Sequence, residues 1–574
     1  MQILTREVAV DTLEDIPSPL LRRIYAGRGV TRSTDLDRSL GALVPPATLP
    51  DIEPAAARIA DAIMAQQAIV IVGDFDADGA TAVALCVRVL GELGAERVSY
   101  LVPNRFEFGY GLSPEIVNLA AQSEPDLIIT VDNGVSSVNG VAQANGFGID
   151  VIVTDHHLPG AELPAAYAIV NPNLPGAQFP SGALAGVGVA YYLLSAVRGA
   201  LRTRQWFDAS RPEPNLGRYL DLVALGTVAD VVPLDANNRI LVHQGLQRMR
   251  AGKCLPGIKA ISEIAKRSLD TLSAQDLGFA LGPRLNAAGR LEDMSLGIKC
   301  LLAPDLTSAR SMAAALDQLN KARRQLEQDM VGDAELLLAE EHADDQRVGL
   351  SVYHETFHQG VVGIVAGRMR ERFHKPVIAF ADAGDASPDE LKGSARSIND
   401  LHIRDVLDWI AASHPGLLIK FGGHAMAAGL SIKRVHLDRF GVIFDKAVQQ
   451  FTNPDMLDAR LITDGELDTQ DLSLETAQLL AASGPWGSGF PEPRFTGEFD
   501  VVSQRVVGDA HLKLVLKTQG RVVDAIAFRQ GPLAHGTSSV RAVYGLNVND
   551  YGQWPTVQLM VEYLEPLAKS PAVA

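Results

Sequence analysis

The chain has 574 residues, of which 47% are hydrophobic and 21% charged, so intrinsic disorder is excluded as its main state. Lys and Arg number 51 against 68 Asp and Glu, a net charge of −17, which argues against a general polybasic coat but leaves room for a local basic groove. At roughly 150 residues per domain, the length predicts three or four domains, each able to bury a core.

Three cysteines (Cys86, Cys254, Cys300) are too few and too scattered for a disulfide framework or a zinc site. Residues 1–17 show no basic stretch followed by an apolar one, so no signal peptide is expected. The apolar runs are short and interrupted by charge, so no membrane span is expected either. A cytoplasmic protein is the expectation.

In chain order, residues 1–48 read as a helical lead-in closing at Pro45-Pro46. Ala68–Gly73 is a continuous apolar run, the mark of a strand buried on both faces. A helix is expected at Thr81–Leu93, then strands at Ser99–Val102, Asp126–Val131, Asp150–Thr154 and Ala168–Val170. Alternating strands and helices predict parallel βαβ units. Pro180 to Arg290 reads as mainly helical. Asp305–Glu341 carries Met312, Leu316, Leu319, Leu326, Met330, Leu337 and Leu338 near helical spacing. Such a helix spans roughly 50 Å, enough to connect two domains. A second α/β pattern starts near Val348, with a strand at Val377–Phe380 and an acidic loop over Ala381–Glu390. After Pro454 the chain turns β-rich, with strands at Phe495–Val507, His511–Lys517, Arg521–Phe528 and within Ser539–Leu564, and a hairpin at Asn549–Gly552. That pattern fits a small barrel or sandwich. The expected domains are a lead-in (1–48), a parallel-sheet α/β domain (49–303), a connecting helix (304–345), a smaller α/β domain (346–455) and an all-β barrel (456–574).

Acidic residues and histidines fall at the ends of successive predicted strands. Asp74, Asp76 and Asp78 follow the first, Asp132 the third, and Asp155-His156-His157 the fourth. Asp230 adds a carboxylate in an apolar setting. Parallel strands place these ends along one edge, where α/β proteins build their sites. One Asp after a strand is more often a turn or a helix cap. Five or more converging carboxylates repel each other unless cations neutralise them. A mixed carboxylate and imidazole set suits Mn²⁺ and, with more water, Mg²⁺. Two such ions, about 3.5–4 Å apart, would serve phosphoester hydrolysis.

Other residues read as phosphate holders. Ser394 and Arg396 lie in Gly393–Ser397, read as a turn, where hydroxyl, N–H groups and guanidinium make an anion site; a helix cap by Arg396 is the bland alternative. Gly422-Gly423-His424 precede a small-residue stretch, Ala425–Ala428, read as a helix whose N–H groups cradle phosphate; tight helix packing weighs equally. Arg284, Asn286 and Arg290 sit in a Gly/Pro-framed segment read as a loop against a nucleic-acid backbone. Tyr110 is a candidate for base stacking, whereas Phe106 and Phe108 read as loop anchors. Arg505, His511, Lys513, Lys517, Arg521 and Arg529 give the barrel a basic face.

These motifs resemble a known family. Asp74-Phe-Asp-Ala-Asp78, Val131-Asp-Asn-Gly134, Asp155-His-His157 and Gly226-Thr-Val-Ala-Asp230 are similar to motifs I to IV of the DHH phosphoesterase superfamily. Gly282–Arg290 looks like the next motif of its exonuclease branch. Gly393–Ser397 and Gly422–His424 resemble the paired motifs of the accessory DHHA1 domain, and Gly484–Pro493 the segment leading into a C-terminal OB-fold. The resemblance runs from about residue 50 to 565, with the motifs in order. It implies 5′→3′ degradation of single-stranded DNA to mononucleotides, with Mn²⁺ or Mg²⁺, in repair and recombination. By motif position the metal ligands are drawn from Asp74, Asp76, Asp78, Asp132, His156 and Asp230, with His157 beside them. Val72 stands where many members carry a His. Ser394 and Arg396, with Arg105, are implied to anchor the DNA 5′ phosphate. A single-strand-binding protein and a recombination helicase are the implied partners. The rival readings are another phosphodiesterase of the superfamily, acting on oligoribonucleotides or cyclic dinucleotides, and a non-catalytic scaffold of the same fold. The rival enzymes are generally shorter and lack the barrel, and scaffolds lose metal ligands that this chain keeps.

Overall fold

The computed structural model describes residues 1–574 except 9–12, 105–110, 342–346, 385–386, 509–510, 551–552 and 568–574. Its chain divides into two compact units. The larger holds residues 4–289, 293–316 and 462–574, and the smaller holds 1–3, 290–292 and 317–461. Among the described residues no helix is long and apolar enough to cross a membrane.

The chain begins with β1 (Gln2–Thr5), which pairs with β12 (Arg460–Thr463). The lead-in is thus less helical than expected. Among its described residues it holds one α-helix, Pro19–Ala26, and short 3-10 turns. A four-residue strand shows no readable period, and its partner lies at the far end of the sequence.

The first sheet follows the sequence closely. It comprises β2 (Ile69–Gly73), β3 (Val98–Leu101), β4 (Leu127–Val131), β5 (Asp150–Thr154) and β6 (Ala168–Val170), in the order β3-β2-β4-β5-β6, all parallel. β2 and β4 are buried at every position, as continuous aliphatic runs between two helical layers must be. The chain runs outward from β2 to β3 and then crosses back to β4, so the strand order reverses between β2 and β4. The crevice beyond the carboxyl ends of such a pair is open for a ligand. Residues 186–301 are mainly helical, as expected. The segment expected to be a loop is instead the helix Gly282–Leu291, entered through a π-helical turn at Leu277–Leu281. Pro283 removes an N–H and crowds the turn before it, and a π turn absorbs that crowding.

The long amphipathic segment is one helix, Leu306–Glu341. The smaller unit's sheet comprises β7 (Leu350–Tyr353), β8 (Val377–Asp382), β9 (Glu390–Arg396), β10 (Lys420–Gly423) and β11 (Ala427–Lys433), in the order β10-β11-β9-β8-β7. Two segments differ from what the sequence predicts. Gly393–Arg396 lies in a strand, not a turn. Ala427 and Ala428 open β11, so His424–Met426 is a hairpin tip and not a helix start. Small residues carry no period of their own, and pairing with β9 decides their state. The barrel is closed by β13 (Phe495–Val507), β14 (His511–Thr518), β15 (Arg521–Ala527), β16 (Ser539–Asn549) and β17 (Thr556–Pro566), in the order β13-β14-β15-β17-β16.

Candidate metal centre and anion site

The sheet's carboxyl edge fixes the acidic residues one by one. After β2, Asp74 is buried, and Asp76 is the extended N-cap of the helix Ala77–Glu92, its carboxylate accepting the Gly79 N–H at 3.0 Å. After β4, Asp132 is buried with φ 63, in the left-handed region. Asn133 next to it donates to the Val72 and Val131 carbonyls, at 3.1 and 2.9 Å, and so ties the ends of β2 and β4 together. The helix Gly186–Thr203 starts hard against Asp132. A Cβ on Gly186 would lie 2.5 Å from the Asp132 Cβ, so only glycine fits there. Val72 itself is fully buried in the core.

After β5, Asp155 holds the histidine pair. Its Oδ1 accepts the N–H groups of His156 and His157 at 2.7 and 3.0 Å and meets the His157 Nδ1 at 2.7 Å. Its Oδ2 accepts the Val135 N–H at 2.9 Å. Asn173 and Asn171 donate to the His156 and His157 carbonyls. The His156 Nε2 then lies 3.0 Å from Asp132 Oδ1 and 3.5 Å from Asp230 Oδ2.

All seven residues read from the sequence as catalytic are brought together. They form three overlapping groups whose donor atoms lie within 4.8 Å of one another: Asp74, Asp76 and Asp132; Asp132, His156 and His157; and Asp78, His156 and Asp230. Asp78 differs from the rest. It is fully buried, and its oxygens accept the N–H groups of Gly186 and Val187 at 2.6 and 2.9 Å.

The electrostatics follow from this crowding. Burial, then the charges of Asp78, Asp76, Asp230 and Asp74, hold the Asp132 carboxyl well above its ordinary range. Burial and Asp76 push Asp230 up to about 7. Burial alone would lower His157, but its bond to Asp155 and the surrounding carboxylates raise it to about 9. Carboxylates this close resist ionising together, and a divalent cation removes that repulsion. Hard oxygen donors with one or two imidazoles fit Mn²⁺ or Mg²⁺ and not a thiolate-seeking metal.

The smaller unit holds a second constellation. Burial alternates along β9, so Ser394 and Arg396 share the face opposite the core. The Arg396 Nη1 donates to the Ser394 Oγ at 3.0 Å and to the Ala395 carbonyl at 2.8 Å. A Cβ on Gly363, at the start of the helix Val362–Phe373, would lie 2.7 Å from the Arg396 guanidinium and 3.0 Å from the Ser394 Oγ. Burial and then Arg370 pull the Arg396 guanidinium down from its ordinary value. A desolvated cation, a hydroxyl and a helix N-terminus together favour an anion. The hairpin tip carrying Gly422, Gly423 and His424 belongs to the strand pair beside β9, with Ala427 opposite Arg396. Arg290 donates to the Gly360 carbonyl at 3.1 Å. Elsewhere, Arg284 is buried and donates to the Ala280 carbonyl at 2.6 Å, and Asn286 accepts the Ala77 N–H at 2.7 Å. Arg105 and Tyr110, with Phe106 and Phe108, lie outside the described residues.

Three family models match the chain in order: the N-terminal domain of the DHH family over residues 68–227, the DHHA1 domain over 345–453 and the RecJ OB domain over 463–563. The single-stranded-DNA-specific exonuclease RecJ of Dickeya dadantii is 52% identical, across 99% of this chain and 99% of that protein. This chain belongs to the RecJ family. A Thermus thermophilus RecJ structure in complex with Mn²⁺ matches with a TM-score of 0.81 at 30% identity, covering 100% of this chain and 80% of that one. A second, in complex with Mg²⁺, has a TM-score of 0.75 at 28% identity, covering 100% and 79%.

The sequence did not single out the residues that support this site: Asn133, which ties β2 to β4, Asn171 and Asn173, which hold the histidine turn, and Asp155 in its orienting role. Asn171 and Asn173 follow β6, so extending the strand-end rule from carboxylates and histidines to neutral amides would have found them.

Proposed function

We propose that this chain is a metal-dependent, single-stranded-DNA-specific exonuclease that hydrolyses phosphodiester bonds from the 5′ end and releases 5′ mononucleotides. The observation that carries it is the cluster of five carboxylates and two imidazoles at the switch point of the sheet. Asp74, Asp76, Asp132, His156 and Asp230 would hold two divalent ions. Such ions, when bound, neutralise phosphate charge and make water a nucleophile at neutral pH. Asp78 fixes the helix Gly186–Thr203, and Asp155 fixes His157 beside the centre, where its imidazole would polarise a phosphate oxygen. Asn286 and Arg284 act by holding the segment beside motif I.

Ser394 and Arg396 would grip the 5′ phosphate, aided by Gly422, Gly423, His424, Arg290 and Arg105, with Tyr110 stacking on a base. An anchored end fixes the polarity of cutting. The domains proposed are 49–303, 304–345, 346–455 and 456–574, after the lead-in, with the barrel's basic face along single-stranded DNA. A role in cytoplasmic DNA repair and recombination, with a single-strand-binding protein and a helicase as partners, completes the proposal and rests on the family.

Incubating the chain with 5′-phosphorylated single-stranded DNA, duplex DNA and RNA, with Mn²⁺ or EDTA, tests the reading. Rapid loss of single-stranded DNA only, abolished by EDTA, is expected. Preference for RNA, or activity that survives EDTA, would overturn it. Arg396→Ala should cut the preference for 5′-phosphorylated over 5′-hydroxyl ends by roughly tenfold or more, since charge-assisted hydrogen bonds contribute about 1.5–3 kcal/mol. Competition between the two substrates in one tube measures it.

A further inference from the structure

Phe279 is 76% exposed, which is unusual for a phenylalanine on a helical element whose other apolar residues, Leu277, Ala280 and Leu281, are buried. It sits in the π-helical turn Leu277–Leu281. Such turns are costly and frequent at functional sites. On either side of it, the backbone is pressed against the residues just before Asp230. A Cβ on Gly278 would lie 3.3 Å from a Val228 methyl, and one on Gly282 would lie 3.1 Å from the Ala229 Cβ. Phe279 follows Gly278 directly, so it is carried by the same turn that packs against Val228 and Ala229.

Val231 is the second observation. It follows Asp230 directly, is 68% exposed and has φ 65. A β-branched residue in the left-handed region costs on the order of 1–3 kcal/mol and persists only where the surroundings impose it. Its side chain is not buried, so core packing does not account for it. Leu158, directly after His157, is exposed as well. Aliphatic or aromatic side chains therefore stand in the open next to the centre's own residues.

On the exonuclease reading above, we propose that Phe279 is the platform on which a nucleobase of the single strand stacks beside the metal centre, with Val231 as its apolar edge. The carboxylates can attract phosphate only through cations. An uncharged aromatic face supplies affinity that needs no metal. Stacking tolerates every base and contributes about 1–3 kcal/mol per base. A paired base is already stacked on its neighbours, so the platform favours an unpaired strand.

The test compares wild type with Phe279→Ala, Phe279→Leu and Phe279→Trp. Binding to fluorescent single-stranded oligonucleotides is read by anisotropy in EDTA, and kcat/KM is read with Mn²⁺. Phe279→Ala should lower both by roughly tenfold, the equivalent of about 1.4 kcal/mol. Phe279→Trp should restore both, and Phe279→Leu should not. Melting temperatures should agree, because the side chain is exposed. Binding and kcat/KM of Phe279→Ala within twofold of wild type, or full rescue by leucine, would sink the proposal. Should the wild type fail to cleave single-stranded DNA, the exonuclease reading falls, and the binding comparison in EDTA still decides the role of Phe279.

Discussion

Asp132→Asn is expected to lower kcat by about a thousandfold or more while leaving the fold and single-stranded DNA binding in place. Asp132, like His156, belongs to two of the three donor groups, and it is the one of the two that carries a negative charge, so losing that charge disturbs both groups. Metal neutralisation of a phosphoryl transition state is worth several kcal/mol, and each 1.36 kcal/mol is tenfold in rate, roughly. Asparagine is the informative replacement because it keeps the shape and tolerates the left-handed φ of 63 that this position requires. Alanine would add backbone strain to the loss of charge. Stability should respond in the opposite sense to activity. In EDTA the wild type carries a repelling cluster, so Asp132→Asn should melt no lower than wild type. Saturating Mn²⁺ should raise the wild-type melting temperature, with about 2.7 kcal/mol of stabilisation at a hundred times Kd, and raise the variant's much less. Thermal melts in EDTA and in Mn²⁺, beside single-turnover cleavage, check both halves. A variant that is unfolded, or one that cleaves normally, would remove Asp132 from the centre.

The sequence carried the centre well because its physics is local and repetitive. Continuous aliphatic runs announce doubly buried strands, and each run ends in a carboxylate or a histidine, so one sheet edge could be assembled without coordinates. The same rule stops where the meaning of a residue depends on its partner. Gly422–Gly429 is mostly small side chains, which any element accepts, and only the pairing of β11 with β10 and β9 makes it a strand end, a hairpin tip and a strand start. Gly282-Pro283 reads as a loop because those two residues break ordinary helices, and the π turn before them is invisible to a 3.6-residue period. Asp155 and Asp78 looked like two more acidic residues in acidic motifs. What separates them from their neighbours is where their oxygens point, and that depends on Val135, Gly186 and Val187, which are distant in sequence.

Asp78 makes that distinction measurable. Asp78→Ala should unfold more easily than wild type by about 2–4 kcal/mol in saturating Mn²⁺, a larger loss of stability than any ligand substitution at the centre. Each buried N–H left without an acceptor costs about 1–3 kcal/mol, and here two are orphaned at once. They are the first N–H groups of the helix Gly186–Thr203, where the backbone's partial positive charge also favours an anion. Working in Mn²⁺ matters, because relief of carboxylate repulsion in the metal-free protein would offset part of the loss. Activity should fall too, but through position. Gly186 packs on Asp132 with no room for a Cβ, so a helix that shifts by even a few tenths of an ångström drags or frees that carboxylate. Asp78→Asn retains one acceptor and turns an amide donor toward the other N–H, so it should lie between wild type and alanine in stability. Denaturant unfolding of all three proteins, with hydrogen exchange at Gly186 and Val187, separates the roles. Fast exchange at those two amides with a matching loss of stability assigns Asp78 to the support of the centre. An alanine variant as stable as wild type, with protected amides and no cleavage, would place Asp78 among the metal ligands instead.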